Sequence, residues 1–303
     1  MSTHASRHLR DLLQVRPGTA VDLAAIDPRA TPGLPGGQHR PRHPKRWAGA
    51  ELARLGPQLA SLQERLFARA KVGESTQRVL LVLQAMDCGG KDGTTKQVAR
   101  MMNPQGLSVV AFGRPTAEEQ AHEFLWRITR ALPTAGYVGV FNRSQYEDVL
   151  VVRVHELVPE PVWRARYDEI NSFEADLATG GVTIVKVMLH ISYAEQARRL
   201  AQRLDDPTKH WKYSPGDLAE RDHWTDYQDA YAEALARCST PAAPWYVVPA
   251  DRKWYRNWAV TVLLHETMGD LGLVYPTGDF DVDAERRRLR ASRGAVGAGA
   301  AAT

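Results

Sequence analysis

Five short apolar runs alternate with helical stretches along the middle of this 303-residue chain. The runs have the length and the content of buried strands, and they are VLLVLQA (79–85), LSVVAF (107–112), YVGVF (137–141), VTIVKVML (182–189) and WYVV (245–248). Strands that alternate with helices imply right-handed crossover connections and a parallel sheet. The pattern therefore predicts an α/β fold with a parallel sheet of about five strands.

The segments before and after these runs have a different character. Residues 1–45 are rich in Pro, Gly, Arg and His, show no period, and are expected to form an extended N-terminal arm. Leucines at 52, 55, 59, 62 and 66 then mark one face of a helix, perturbed near Pro57. We expect one catalytic domain over 46–283, with a lid inserted at about 205–225, and a disordered basic tail over 284–303.

Charge and cysteine content exclude several classes of protein. The chain has 39 basic and 35 acidic residues, but five arginines lie between Arg286 and Arg293, so the rest is close to neutral. The sequence pI of 9.1 is therefore weak support for nucleic-acid binding. Two cysteines, Cys88 and Cys238, are too few for a disulfide-stapled module. With neither a signal-peptide pattern nor an apolar stretch of about 18–20 residues, we expect a cytoplasmic protein.

The first apolar run leads directly into the glycine-rich sequence MDCGGKDGTTKQ. A turn of this kind between a strand and a helix directs backbone N–H groups at an anion. Lys91 follows Gly90 as in a phosphate-binding loop, although Ala85 and Asp92 depart from the G-x-x-x-x-G-K-[ST] pattern. The alternative is an ordinary strand-to-helix turn. Asp87 would repel phosphate unless a cation intervened, which favours Mg²⁺ over a simple helix cap.

A second group of polar residues follows the third run. Asn142, Arg143, Glu147 and Asp148 stand where ligands bind in open α/β sheets, beyond the carboxyl end of a strand. Acidic groups there hold Mg²⁺ or position a nucleophile, and an arginine can clamp a phosphate. A surface cluster of ion pairs is the alternative.

Basic and aromatic residues are interleaved between residues 199 and 224. Pro and Gly interrupt any single helix there, which is typical of a mobile lid that brings cations over a phosphoryl group. A single-stranded nucleic-acid surface and an exposed helical hairpin are the alternatives. The cations of the expected lid site are Arg199, Arg203, Lys209, Lys212 and Arg221.

Taken together, the three segments predict phosphoryl transfer on a nucleoside-kinase-like fold without naming the phosphoryl donor. Several long stretches resemble the family-2 polyphosphate kinases, and the resemblance extends over roughly residues 15–276. It is carried by LQAMDCGGKDGTTKQV, NPQGLSVVAF, PTAEEQAHEFLWR, FNRSQYEDVLV, DDPTKHWKYSPGDLAERDHW and APWYVVPADRKWYRNWAV.

The resemblance implies a three-layer α/β/α P-loop kinase fold with a helical lid. It implies reversible phosphoryl transfer from inorganic polyphosphate to nucleotides, with Mg²⁺ or Mn²⁺. The LQAMD start of the loop and Asn142 resemble the class that phosphorylates both AMP and ADP. The resemblance also implies a homo-oligomer, a dimer or tetramer. Because acidic residues temper the charge of the lid and no long apolar stretch occurs, we expect no nucleic-acid or membrane partner.

Site roles follow from the motifs and the resemblance combined. The catalytic residues are expected to be Asp87, Lys91, Arg143, Glu147 and Asp148, with Asp87 and Asp148 holding the metal. Acceptor nucleotides are expected at Arg114, Arg127, Asn142 and Arg143. Phosphate groups are expected at Gly89, Gly90, Lys91, Asp92, Gly93, Thr94, Arg199, Arg203, Lys209, Lys212 and Arg221.

Two other functions stay open at this point. An ATP-dependent nucleoside monophosphate kinase would share the loop and the lid, but Ala85 and Asp92 count against it. A non-enzymatic polyanion binder would have no use for Asp87, Glu147 and Asp148, because carboxylates weaken anion binding when no metal is present.

Overall fold

The centre of the protein is a five-stranded parallel sheet, seen in a computed structural model that describes residues 8–299. The strand order is β2-β3-β1-β4-β5. The strands are β1 Arg78–Gln84, β2 Leu107–Ala111, β3 Val138–Asn142, β4 Val182–His190 and β5 Trp245–Pro249. The predicted parallel sheet is confirmed, and each strand lies within about a residue of its predicted bounds.

Helices fill the connections between the strands. They are α1 Leu9–Leu13, α2 Pro44–Lys71, α3 Lys91–Ala99, α4 Ala117–Gln120, α5 Trp126–Ala131, α6 Val151–Val154, α7 Glu160–Thr179, α8 Tyr193–Asp205, α9 Gly216–Asp222, α10 Trp224–Cys238, α11 Lys253–Gly269 and α12 Val282–Gly299. Short 3-10 turns occur at Leu23–Ala25, Gly37–His39, Pro104–Gly106, Gln145–Val149 and Pro207–Lys212.

Alternate residues of β1 face two different apolar cores. Leu81 belongs to the larger core, with Leu59 of α2 and Leu263 of α11. Leu80 points to the opposite side, into a smaller core that includes Ile128 of α5. Because side chains of a strand alternate between its faces, this arrangement gives the predicted three layers with the sheet in the middle.

The described part of the N-terminal arm packs along the last strand. Val15 N–H donates to the carbonyl of Trp245 at 2.8 Å, and Gln14 forms an antiparallel bridge with Tyr246. Leu9 and Leu13 of α1 are buried. The described part of the arm is therefore mostly irregular, and it packs against the edge of the sheet at the start of β5.

The C-terminal segment differs from the predicted disordered tail, because α12 makes residues 282–299 helical. Alanine and arginine are strong helix formers, and ion pairs one turn apart support the helix. Arg286 lies 3.1 Å from Asp283, and Arg288 lies 2.6 Å from Glu285. Residues 300–303 of that tail, and residues 1–7 of the arm, lie outside the described residues.

Among residues 8–299, no helix combines the length and the hydropathy needed to cross a bilayer. The longest helix, α2, continues through Pro57 and packs Leu55, Leu59 and Leu66 into the core.

We expect Leu66→Ala to lower the free energy of unfolding by about 2–5 kcal/mol, because it leaves a cavity at a fully buried position. Urea unfolding followed by circular dichroism measures the change. Val72→Ala, at the exposed end of the same helix, serves as the control and should change stability by less than about 0.5 kcal/mol. Equal effects of the two substitutions would contradict the packing of α2 described above.

Candidate active site

The glycine-rich loop joins β1 to α3 at the carboxyl edge of the sheet. Gly90 has φ 109° and directly precedes α3, so its backbone occupies a region that favours glycine. A Cβ atom at Gly90 would lie 1.7 Å from Nη1 of Arg256. Both the backbone angle and the close approach therefore require glycine at this position. Gly89 and Gly93 line the same loop cavity.

Lys91 begins α3 with its side chain folded into the loop. Only 9% of the residue is exposed, and Nζ donates to the carbonyl of Ala85 at 2.7 Å. Burial, followed by the charge of Arg143, lowers the pKa of Lys91, although Asp87 opposes this shift. The ammonium thus lies inside the loop, where it could contact an anion that the loop amides hold.

Arg143 connects the loop to the acidic segment after β3. Its backbone is left-handed, with φ 68°, and Nη2 donates to Oδ1 of Asp87 at 3.2 Å. Nη1 lies 4.0 Å from Oε2 of Glu147. Burial opposes the charge of Arg143, but Glu147 and Asp87 together raise its pKa. One guanidinium therefore bridges two of the predicted catalytic carboxylates.

Asp148 turns towards a different pair of arginines. Its Oδ1 accepts from Nη1 of Arg166 at 3.2 Å, and its Oδ2 lies 4.0 Å from Nη2 of Arg127. Burial raises the pKa of Asp148 to about 6, although both arginines act to lower it. The carboxyl group therefore titrates well above its ordinary range.

Asp92 ties the start of α3 to the lid, residues 205–225. Its Oδ1 accepts from Nδ2 of Asn142 at 2.9 Å, and its Oδ2 accepts from Nζ of Lys212 at 3.2 Å. Arg203 in turn donates to the carbonyl of Lys212 at 2.8 Å and to Asp217 at 3.2 Å. The lid is thus held over the phosphate loop by charged contacts.

Loop and lid together enclose a cavity of about 520 Å³ with a strong excess of cations. Its three carboxylates are Asp87, Asp92 and Asp217. The cations that line it are Lys91, Arg143, Arg199, Arg203, Lys209, Lys212, Lys253 and Arg256.

A second cavity, of about 1240 Å³, adjoins the first and carries the opposite balance of charge. The two share Asp87 and Arg143. Part of the second wall is apolar, at Phe124, Val158 and Val162. Its arginines are Arg114, Arg127, Arg143 and Arg166, and its carboxylates are Asp87, Glu119, Glu123, Glu147, Asp148, Glu169 and Glu220.

Two residues predicted to bind phosphate lie outside both cavities. Thr94 is fully buried, and its hydroxyl donates to the carbonyl of Gly90 at 3.1 Å. Arg221 donates to Gln196 at 2.7 Å and stacks over the ring of Tyr193 at 3.7 Å. Thr94 lies on the buried face of α3, and stacking holds Arg221 against α8.

Arg199 lines the first cavity but has a supporting role there instead of the predicted contact with phosphate. An arginine has five N–H donors, and all five of Arg199 bind protein acceptors. These acceptors are Glu195 and the carbonyls of Cys88, Gly89, Ala250 and Asp251, at 2.6–3.1 Å. Arg199 therefore holds the phosphate loop against the end of β5.

Three cations at the site were not among the predicted residues. Lys253 and Arg256 lie one turn apart at the start of α11 and face the first cavity. Burial, followed by the charge of Arg199, lowers the pKa of Arg256 to about 10. Their position directly after the last apolar run was a signal that could have identified them. Arg166, the partner of Asp148, lies in α7, far from any motif.

Comparison with known proteins identifies the family. The model of the polyphosphate kinase 2 family matches residues 45–271. An AMP/ADP-polyphosphate phosphotransferase of Meiothermus ruber is 48% identical over 263 residues, 87% of this chain and 94% of that protein. An ADP-polyphosphate phosphotransferase of Rhodopseudomonas palustris is 45% identical over 230 residues, 72% of this chain and 78% of that protein.

A solved structure agrees with the sequence relatives. The crystal structure of Polyphosphate Kinase 2 from Arthrobacter aurescens TC1 superposes with a TM-score of 0.88 at 50% identity, covering 94% of this chain and 97% of that one. The chain belongs to the polyphosphate kinase 2 family, and the predicted resemblance and fold class are confirmed.

We expect Gly90→Ala to weaken binding of inorganic tripolyphosphate at least ~10-fold, a loss of about 1.4 kcal/mol. The added methyl group would displace Arg256 and strain a left-handed backbone. Isothermal titration calorimetry measures the affinity. Gly49→Ala is the control, because a methyl group there meets open space within α2. Wild-type affinity in Gly90→Ala would contradict the assignment of the loop as the anion site.

We expect Asp148 to make stability depend on pH. Its pKa is about 6 in the folded protein and 3.8 in the unfolded chain, so the folded state binds more protons between about pH 4 and 6. The free energy of unfolding should therefore fall as the pH rises through this window. Asp148→Asn removes the titrating group. The free energy of unfolding of this variant, relative to that of the wild type, should therefore rise by about 1–3 kcal/mol from pH 4 to pH 7.

Urea unfolding at several pH values in EDTA measures this change. Asp279→Asn, at an exposed position, should track the wild type throughout. A stability difference between Asp148→Asn and the wild type that stays constant from pH 4 to 7 would refute the raised pKa.

Proposed function

We propose that this chain transfers the terminal phosphoryl group of inorganic polyphosphate to AMP and ADP, forming ADP and ATP reversibly with Mg²⁺ or Mn²⁺. One observation carries the proposal. A cavity lined by cations and a cavity lined by arginines, carboxylates and apolar groups meet at Asp87 and Arg143. A polyanionic donor and a nucleotide acceptor need two such sites with a shared boundary.

The first cavity has the properties that a polyphosphate chain requires. Lys209, Lys212 and Lys253 line it from the lid and from α11, while Lys91 lies at its base in the loop. A nucleotide donor would instead need an extensive apolar surface for its base. Because every unit of polyphosphate is charged, a wall of cations from three elements suits it better.

The second cavity has the properties of an acceptor site. Guanidinium groups for the acceptor phosphates come from Arg114, Arg127 and Arg143. A planar guanidinium can bind phosphate through two parallel hydrogen bonds. Phe124 and Val158 belong to an apolar wall suited to the base. The Meiothermus ruber relative is named for both AMP and ADP, which supports both acceptors.

The carboxylates of the second cavity fit a divalent metal that is held partly by substrate. Among residues 8–299, no group of three or more His, Cys, Asp or Glu side chains forms a metal cage. Mg²⁺ in phosphoryl-transfer enzymes is commonly held by one or two carboxylates together with substrate phosphates. Asp87 and Asp148 would hold the metal, with Glu147 assisting. When bound, it would neutralise charge on the transferring phosphoryl group.

The chemistry demands positioning more than proton transfer. The attacking phosphate oxygen of AMP or ADP is already ionised near neutral pH, so the main barrier is repulsion between two anions. Lys91 and the loop amides would stabilise the transferring group, and Arg143 would align the acceptor with it. The lid would exclude water, which otherwise competes as the acceptor.

Two further parts of the proposal rest on the sequence, the first of them through the family resemblance. We infer a homo-oligomer, either a dimer or a tetramer, and a cytoplasmic location. Polyphosphate and the nucleotides are then the partners, with no nucleic acid and no membrane involved.

A nucleotide assay tests the proposal directly. The protein is incubated with AMP, polyphosphate and Mg²⁺, and the products are separated by ion-exchange chromatography. ADP followed by ATP is the expected result. ADP formed from ATP and AMP, with no product from polyphosphate, would identify an ATP-dependent nucleoside monophosphate kinase instead. Binding of polyphosphate without turnover of any nucleotide would identify a polyanion binder.

We expect Lys91→Met to lower kcat by roughly 10²–10³-fold, because it removes the buried cation of the loop while keeping most of its volume. Lys96→Met, on the exposed side of the same helix, is the matched control and should keep kcat within about twofold. Steady-state kinetics on both variants, with circular dichroism to verify folding, makes the measurement. Retained activity in Lys91→Met would remove this lysine from the mechanism.

A further inference from the structure

A buried ionic network lies beneath the segment that carries Arg143 and Glu147. Lys186 of β4 is fully buried, and its Nζ donates to the carboxylate of Glu174 in α7. The same ammonium donates to the hydroxyl of Tyr146 at 2.7 Å and to the carbonyl of Cys238 at 2.6 Å. Its three N–H donors are therefore all used.

This network and Gln84 together anchor three consecutive residues of the segment. Oε1 of Glu174 accepts from Nε2 of Gln145 and from the hydroxyl of Tyr146, each at 2.9 Å. Ser144 is held from another side, since its Oγ accepts from Nε2 of Gln84 at 3.1 Å. Contacts from β1, β4 and α7 thus fix residues 144–146, and Arg143 and Glu147 flank that triplet directly.

A contribution to folding stability does not by itself account for this network. A buried ion pair of this type is often matched or exceeded in stability by apolar side chains of equal volume, because desolvation offsets the attraction. Its hydrogen bonds, by contrast, have strict geometry. These hydrogen bonds also help to hold the neighbouring backbone. Arg143 has a left-handed conformation, which persists only where the surrounding structure holds it in place.

We propose that the Lys186–Glu174–Tyr146 network is a positioning device for phosphoryl transfer. It sets Arg143 at the boundary between the two cavities, where the donor and acceptor phosphates would meet, and it sets Glu147 in the adjoining wall of the second cavity. The three network residues touch no substrate, so they act through the segment above them. This inference rests on the polyphosphate-dependent transfer proposed above.

Tyr146→Phe is the first test, because it removes one hydroxyl and keeps both ionic partners. We expect kcat for ADP formation from AMP and polyphosphate to fall roughly 10- to 100-fold, with both KM values changing less than about threefold. The matched control is Tyr167→Phe, which lies in α7 and loses one hydrogen bond, from Arg153 at 3.3 Å. It should keep the wild-type kcat, because the hydroxyl of Tyr167 takes no part in the hydrogen bonds that hold residues 144–146.

A second variant separates positioning from folding. Lys186→Met, Glu174→Leu and Tyr146→Phe in one chain replace the network with apolar groups of similar volume. We expect the triple variant to fold, as judged by circular dichroism and a cooperative melt, and to lose kcat to the same extent as Tyr146→Phe.

The outcomes distinguish this inference from the proposed function. If the wild-type protein forms no ADP from AMP and polyphosphate, the proposed function fails. If the wild type is active and Tyr146→Phe retains its kcat, the positioning role is wrong, whether or not the triple variant folds. A folded triple variant with wild-type kcat would also overturn the inference. A loss of kcat in Tyr146→Phe but not in Tyr167→Phe supports it.

Discussion

Parallel pairing of β1 with its two neighbours is the constraint on which the site depends. Leu83 of β1 lies beside Asn142 of β3, and Gln84 lies beside Met188 of β4. All three strands therefore end at one edge, where the phosphate loop, the acidic segment and α8 begin. Residues separated by up to about a hundred positions in sequence meet there because parallel strands share one direction.

Charge is distributed unevenly across that edge. Cations collect on the side of the lid and α11, carboxylates collect around the segment after β3 and α7, and Arg143 lies between them with contacts to Asp87 and Glu147. The net charge of the whole chain is small and gives no sign of this separation between cations and carboxylates. Cations in the walls lower the repulsion between two anions that meet in a cleft, since the field within a cleft depends on its own walls.

Sequence patterns predicted the strands and the phosphate loop, because short stretches of sequence determine these elements. Apolar runs predicted the strands, and glycines before Lys91 predicted the loop. The structure places Thr94 and Arg221 elsewhere, and it gives Arg199 a supporting role, because helix packing and stacking between distant segments decide where those side chains point. Lys253, Arg256 and Arg166 were missed for the same reason. The low-complexity C-terminal segment was expected to be disordered, but it forms helix α12, because its alanines and arginines have high helix propensity.

The position of the N-terminal arm has a consequence for how copies of the sheet could associate. The bridge between Gln14 and Tyr246 covers the β5 edge, while β2 is the opposite edge strand and its Val109 is about half exposed. A sheet with two open edges can add copies without limit, as fibrils do. The arm occupies that edge at Trp245 and Tyr246, so it hinders the pairing of a second copy with β5. Strand pairing between copies is then left mainly to β2, which restricts growth through the sheet.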